Sequence, residues 1–286
     1  ILEYCKEHEI LISTSLDGPK IVHDNNRHKP HASSYELTIK GIELARKIVG
    51  HDRVSAIMTT TRLSLDYPIE IVDEYFNLGF QGIFLRNISP YGFALRTEKS
   101  KYKTDKFIEF YKKALDRVLE YNFQGHNFTE DLARIFLIKM LSPFNVGFVD
   151  LQSPAGLING VIVFNYDGAV YATDESRMLA EQKDFTFKLG TLNDSYNELF
   201  FGKKAQEIAE VWANESLAGC SECAFQQYCG ADPVHIHATQ GDMYGYRPNS
   251  DFCQKNMEII RYLFELMESD KRIRKIFEGW ARTVNH

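Results

Sequence analysis

Four of the five cysteines crowd into the last quarter of the chain, as Cys220-x2-Cys223-x5-Cys229-x23-Cys253. Thiolates are soft ligands that suit zinc and iron–sulfur clusters. A C-x2-C pair lets two sulfurs reach one centre from a tight turn, and two further thiolates then complete either a tetrahedral zinc site or all four corners of a [4Fe–4S] cube. The spacing does not decide between zinc and iron. An even number of cysteines can also signal disulfides, but those belong to small secreted domains, and no export signal is visible here. The plainer alternatives are a structural zinc knuckle or unpaired buried thiols. Cys5 stands apart on a helical stretch and reads as a small buried hydrophobe. His235 and His237 alternate near the cysteines, as spare ligands or as ordinary structural residues.

The elements that must position these residues follow from hydrophobic periodicity. Ile10–Leu16 is a strand candidate closed by Asp17-Gly18-Pro19, Val54–Thr61 a second and Gly82–Ile88 a third. Amphipathic helices are expected over Tyr35–Val49 and Ile69–Leu78, the latter stopped by Gly79. Strand–helix–strand at this spacing implies parallel pairing with right-handed crossovers. The block amounts to three βα units, an incomplete parallel (β/α) barrel. Lys101–Tyr121 and Thr129–Leu141 read as further helices. Breakers between Ser142 and Gly160 mark a domain boundary, giving domains 1–145 and 146–286. Val161–Ala172 reads as a hairpin around a Tyr-Asp-Gly turn. Gln254–Phe277 reads as one long amphipathic helix. The expected class is α/β: the partial barrel, then a small cysteine-rich α+β domain.

Composition narrows the function classes. Of 286 residues, 44% are apolar and 25% charged, which is ordinary for a globular protein. Thirty-three basic against 39 acidic residues give a net charge of −6, the wrong sign for a non-specific grip on nucleic acid or anionic membrane. No apolar run approaches the roughly 18 residues of a membrane helix. A cytoplasmic protein is expected. The chain does not begin with Met, and Ile1-Leu2-Glu3-Tyr4 reads like the inside of a helix, so a fragment is expected.

Ser15-Leu16-Asp17-Gly18-Pro19, followed by His23-Asp24-x2-Arg27, resembles the fourth-strand signature of radical S-adenosylmethionine (SAM) peptide-modifying enzymes, among them the anaerobic sulfatase maturases. The cysteine spacing is similar to their SPASM domain, which usually carries two auxiliary [4Fe–4S] clusters. Finer details, Arg86–Phe93, Asn165–Gly168 with Asp174–Leu179, and Cys229–Pro233 with Ala238–Asp242, are similar to the radical SAM maturase of the His-Xaa-Ser peptide system. The resemblance implies an enzyme that abstracts hydrogen from a residue of a peptide or small protein with a 5′-deoxyadenosyl radical, fed by a reductant. It makes Ser15 a SAM contact, Arg27 a partner for the SAM carboxylate, and Ile88 an adenine contact. It also makes Asp174 a candidate general base, with a salt bridge to Arg177 as the competing role. Plain turn chemistry (Ser15), an ion pair (Arg27) and strand core (Ile88) are the competing readings.

The departures from the family are informative. The first half of the SPASM pattern reads Ser153-x14-Gly168-x4-Thr173, and the x3-C position after Cys229, with three residues between, is Pro233. In the family those three positions help ligate the first auxiliary cluster, whereas Cys220, Cys223, Cys229 and Cys253 are the set for the second. One auxiliary cluster is therefore expected, with Ser153, Thr173 and Pro233 close together and metal-free. The sequence holds no C-x3-C-x2-C triad, the motif that leaves one iron open for SAM; it is expected upstream of Ile1, and the chain alone is expected to be inactive. The rival reading is a non-catalytic metal-binding regulator of a peptide or protein partner.

Overall fold

A pair of parallel strands organises the first part of the chain. The computed structural model describes residues 1–91, 102–144 and 146–282, so Gly92 and Phe93 of the maturase-like segment lie outside the described residues. Two compact units form, one of Ile1–Ile88 with Lys99–Arg134, the other of Ser89–Glu98 with Ile135–His286. The secondary structure is mixed α/β, rich in helices with small sheets.

The first unit runs α1 (Leu2–Glu7), β1 (Ile12–Ser15), α2 (Lys20–Asn26), α3 (Ser34–Val49), β2 (Val54–Ile57), α4 (Pro68–Asn77), β3 (Gly82–Ile83), α5 (Thr104–Phe123), β4 (Thr129–Glu130) and the start of α6 (Asp131–Leu141). β1 pairs parallel to β2, with Ser15 opposite Ile57. β3 pairs parallel to β4, with Gly82 opposite Thr129. The helix α3 starts where the Ser33 hydroxyl accepts the Glu36 N–H at 3.2 Å, an N-cap that satisfies an otherwise orphaned donor. It buries Ile42, Ala45 and Val49 at three- and four-residue spacing, while Leu37 and Leu44 face outward.

Two expectations change here. The third strand is shorter than Gly82–Ile88, because beyond Ile83 the chain leaves the ladder, its Arg86 carbonyl accepting the Thr60 N–H at 2.8 Å and its Leu85 N–H donating to the Glu130 carboxylate at 3.1 Å. A fourth βα unit, β4 with α6, stands where one helix was expected from Thr129, because two strand residues are too short a run to show alternation.

The turn after β1 is fixed from below by α4. Tyr75 is fully buried and donates its hydroxyl to the Leu16 carbonyl at 2.6 Å. Gly18 has φ +125°, and a Cβ there would lie 2.6 Å from Ile71 Cγ1, so only glycine lets the turn sit on the helix.

The second unit runs β5 (Val163–Phe164), β6 (Ala169–Tyr171), α7 (Asp174–Ala180), β7 (Lys188–Thr191), α8 (Tyr196–Phe201), α9 (Lys203–Ala209), α10 (Pro233–Gln240), α11 (Asp251–Ser269) and α12 (Lys271–Arg282). The hairpin β5–β6 forms, and β7 extends it into a three-stranded antiparallel sheet. A buried cluster including Ala155, Leu157, Phe187, Ile208, Ala231 and Val234 is its core. The expected single C-terminal helix is broken at Asp270. Its backbone is extended (φ −144°, ψ 120°) and its carboxylate accepts the Arg272 N–H at 2.7 Å, so it caps the next helix instead of continuing the last.

Candidate metal centre

The four thiols arrive from three pieces of chain. Cys220 and Cys223 lie in a loop of turns, Cys229 follows a 3₁₀ turn over Gln226–Tyr228, and Cys253 lies in the first turn of α11. Two glycines make the approach possible. At Gly219 (φ +78°) a Cβ would lie 2.5 Å from Pro248 Cγ, and at Gly230 it would lie 2.3 Å from Leu151 Cα. The first lets the Cys220 loop press on the turn before α11; the second lets the chain after Cys229 run against residues 150–151. Ser250 caps α11 by accepting the Cys253 N–H at 3.1 Å, which fixes where that thiol emerges.

Every pair among Cys220, Cys223, Cys229 and Cys253 is within electrostatic range. Burial pushes Cys253 up to about 11, with Cys229, Cys220 and Cys223 adding to the rise. Burial also raises Cys220 and Cys229. Three cations offset this around Cys229: Lys139 of α6, Arg247 of the turn before α11, and Lys255 of α11. Lys139 donates to the Leu151 and Cys229 carbonyls, both at 2.5 Å, and burial lowers it to about 8. The Asn256 amide donates to Cys229 Sγ at 3.7 Å. Among the described residues no three His, Cys, Asp or Glu side chains are gathered tightly enough to grip a single metal ion. The thiols thus share one neighbourhood with three cations. None of the three cations was singled out in the sequence; Lys255, two residues from Cys253, was the one within easy reach.

Thr173 and Pro233 have taken structural work. The Thr173 hydroxyl accepts the Ser176 N–H at 3.1 Å and the Ser176 hydroxyl answers at the Thr173 N–H at 2.9 Å, a reciprocal cap for α7. Pro233 opens α10, whose cap is Asp232. Thr173, Glu175, Asp150, Asp232 and Val234 line one crevice that leaves no room for water. The Ser153 hydroxyl donates to Glu215 at 2.9 Å and accepts the Asn214 N–H at 2.9 Å, beside a cleft of about 460 Å³. His235 and His237 do not share a face. Two residues apart on a helix they point to opposite sides, His235 pairing with Asp251 at 2.9 Å and His237 with Asp184 at 2.7 Å. Asp174, first residue of α7, is 54% exposed and pairs with Arg177 at 3.0 Å.

In the first unit, Ser15 ends β1 half-buried, and its hydroxyl has no hydrogen-bond partner among the described residues. Arg27 pairs with the buried Asp17 through two N–H groups. Ile88 lies past β3, its N–H donating to the Tyr102 hydroxyl at 2.9 Å, which in turn donates to the Thr60 carbonyl at 3.1 Å. Among the described residues Thr60 Oγ1 and Asn26 Nδ2 are buried without a partner at the carboxyl end of β1 and β2, the end where parallel βα folds place ligands.

The chain superposes on a native structure of anSMEcpe, an anaerobic sulfatase maturase, with bound AdoMet, at a TM-score of 0.73, 18% identity, 97% of this chain and 71% of that one. The fold is that of an anaerobic sulfatase maturase. Two further structures, native anSMEcpe with AdoMet and the Kp18Cys peptide or the Cp18Cys peptide, match at TM-scores of 0.72 and 0.70, each at 18% identity over 97% of this chain and 72% of that one. At this identity the likeness is one of fold. No family model matches the chain, and no curated protein matches it in sequence. No helix among the described residues is long and apolar enough to cross a membrane.

Proposed function

We propose that the chain is part of a radical SAM enzyme that modifies a residue of a peptide or small protein by hydrogen abstraction with a 5′-deoxyadenosyl radical. Its first unit would be part of a parallel (β/α) barrel and its second a SPASM-like domain with one auxiliary [4Fe–4S] cluster. The observation that carries this reading is the fold, shared over 97% of the chain with structures that bind AdoMet and, in two cases, a peptide.

The residues fit the groups this reading needs. Cys220, Cys223, Cys229 and Cys253 sit in mutual electrostatic range, four soft donors that suit a four-iron cube, as the resemblance implies, with zinc as the alternative. With all four corners held by protein, a cluster there supplies electron transfer and support and leaves no iron open to substrate. Lys139, Arg247 and Lys255 balance the negative charge of the thiolates. Ser15, with its unmatched hydroxyl, and Ile88 would contact AdoMet. Arg27 commits two of its five N–H donors to Asp17 and retains the others for a carboxylate. Asp174 is the candidate base, held by Arg177. A peptide substrate and an external reductant are the partners.

The rival reading, a metal-binding regulator, draws on the lack of a C-x3-C-x2-C triad in the sequence. Anaerobic reconstitution with iron and sulfide separates the two. Four irons per chain with a [4Fe–4S] electron paramagnetic resonance (EPR) signal on reduction are expected; tight zinc with no iron uptake overturns the proposal. Without the triad, these 286 residues alone are expected to release no 5′-deoxyadenosine from AdoMet under strong reductant.

A further inference from the structure

Arg247 is 4% exposed, yet two of its guanidinium nitrogens, Nε and Nη1, have no hydrogen-bond partner among the described residues. Only Nη2 is engaged, donating to the Val211 carbonyl at 3.0 Å and the Met243 carbonyl at 3.5 Å. No carboxylate forms an ion pair with it among the described residues. A buried guanidinium cannot relieve this by losing its proton, and each unmet donor carries its full desolvation penalty. Such an arrangement persists only where something on the other side compensates it.

The surroundings show what that is. The strongest electrostatic partners of Arg247 are Cys220, then Asp232, then Cys229. Its backbone is held on the same side. The Arg247 carbonyl accepts the Ser250 N–H at 2.9 Å and the Ser250 hydroxyl at 2.6 Å, and Ser250 caps the helix that carries Cys253. Pro248, next in sequence, is the residue against which Gly219 lets the Cys220 loop lie. Arg247 is thus wedged between two of the chain segments that deliver the thiols. Lys139 is different, because its donors are already taken up by backbone carbonyls.

We propose that Arg247 is a positioning residue for the sulfur centre, its free Nε–H and Nη1–H donating to sulfur at the Cys220–Cys229 side. This rests on the reading of the four cysteines as an iron–sulfur centre. A fixed cationic donor stabilises whichever state of the centre carries more negative charge. Hydrogen bonds to the sulfurs are among the terms that set cluster potentials. The residue therefore favours the reduced state and makes the centre easier to reduce.

The test compares the full chain with Arg247→Met, which keeps the bulk and removes the donors, and Arg247→Lys, which restores a charge. All are reconstituted anaerobically and titrated with dithionite while absorbance and EPR are followed. In Arg247→Met the reduced state is expected to lose at least tenfold relative to the oxidised one, about 59 mV for a one-electron couple, with partial recovery in Arg247→Lys. The metal-free Arg247→Met protein is expected to be no less stable than wild type to urea, because an unmet buried charge has gone. A merely structural arginine gives the opposite pattern, lower apo stability and an unmoved potential, and overturns the proposal. Should Arg247→Met fail to fold, wild type labelled with 15N-arginine decides. A 15N coupling to the reduced cluster in pulsed EPR is expected, and its absence overturns the assignment. Wild type that takes up no iron refutes the reading of the cysteines themselves, a result separate from both.

Discussion

Arg27 meets Asp17 across two bonds, Nε to Oδ2 at 2.9 Å and Nη2 to Oδ1 at 3.1 Å. The same carboxylate is 2% exposed and accepts the Thr59 N–H at 3.1 Å. One buried charge thereby ties the turn after β1, the end of α2 and the exit of β2, the three segments around Ser15. Arg27→Met strands that carboxylate and is expected to cost about 2 kcal/mol in urea denaturation, below the cost of breaking a fully buried pair because the arginine is 39% exposed. Arg27→Lys recovers part of it, lacking the planar fork. A loss under about 0.5 kcal/mol for Arg27→Met would show that Asp17 is held by backbone alone.

Glu130 gives the first unit a pH dependence. It is fully buried, with its oxygens accepting from the N–H groups of Leu85, Leu132 and Ala133 and from the Tyr111 hydroxyl. Burial pushes it up to about 7 against the pull of those four donors. A raised pKa means the folded chain keeps a proton that the unfolded chain has released. The stability linked to that proton is complete below the ordinary carboxylate value and drains away as pH rises toward 7, by about 1.4 kcal/mol per unit. Wild type is expected to lose about 3 kcal/mol more than Glu130→Gln between pH 4.5 and 7.5. A gap that closes in the other direction means the donors win and the carboxylate stays ionised throughout.

Metal content should discriminate among the cysteines. Cys220→Ser, Cys223→Ser, Cys229→Ser and Cys253→Ser are each expected to lower iron per chain after reconstitution, because a hydroxyl is a poor substitute for a thiolate at iron. Cys5→Ser, on α1 in the other unit, should leave the count at the wild-type value. A Cys5 variant that loses iron alongside the others would remove the basis for a four-thiol set.

Gly230→Ala probes the contact behind Cys229. The new methyl would meet Leu151 Cα at 2.3 Å and the Asp150 carbonyl at 2.4 Å, both backbone, so nothing flexible can yield. A destabilisation of several kcal/mol is expected by thermal melting, together with lower iron retention. Gly125→Ala, where a Cβ meets nothing within 4 Å, gives the strain of a positive φ alone and serves as the comparison.

How much of this was legible beforehand depended on range. The cysteine set and the Ser15–Pro19 turn announce themselves because their spacing is local. The helices α3 and α4 do so through periodicity and their caps. β7 hid because Lys188-Leu189-Gly190-Thr191 lacks an alternating apolar face. The break at Asp270 hid because an acidic residue between two amphipathic runs looks like surface until its carboxylate is seen capping. His235 and His237, two residues apart, are turned to opposite sides because Pro233–Gln240 is a helix, which the Gly- and Pro-rich local sequence does not announce. Lys139 was out of reach altogether, since 90 residues separate it from the Cys229 carbonyl it holds.

The cap at Thr173 ties the residue to the start of α7, which makes it costly to exchange. The resemblance puts a cysteine there, but the residue now starts α7, and a thiol is a weak acceptor for the Ser176 N–H. Restoring the cysteine forfeits about 1 kcal/mol of cap at once. It returns nothing until Ser153 and Pro233 change too, and Ser153 is occupied with Glu215 and Asn214 while Pro233 opens α10. Each such substitution made singly is therefore expected to cost stability without creating a ligand set.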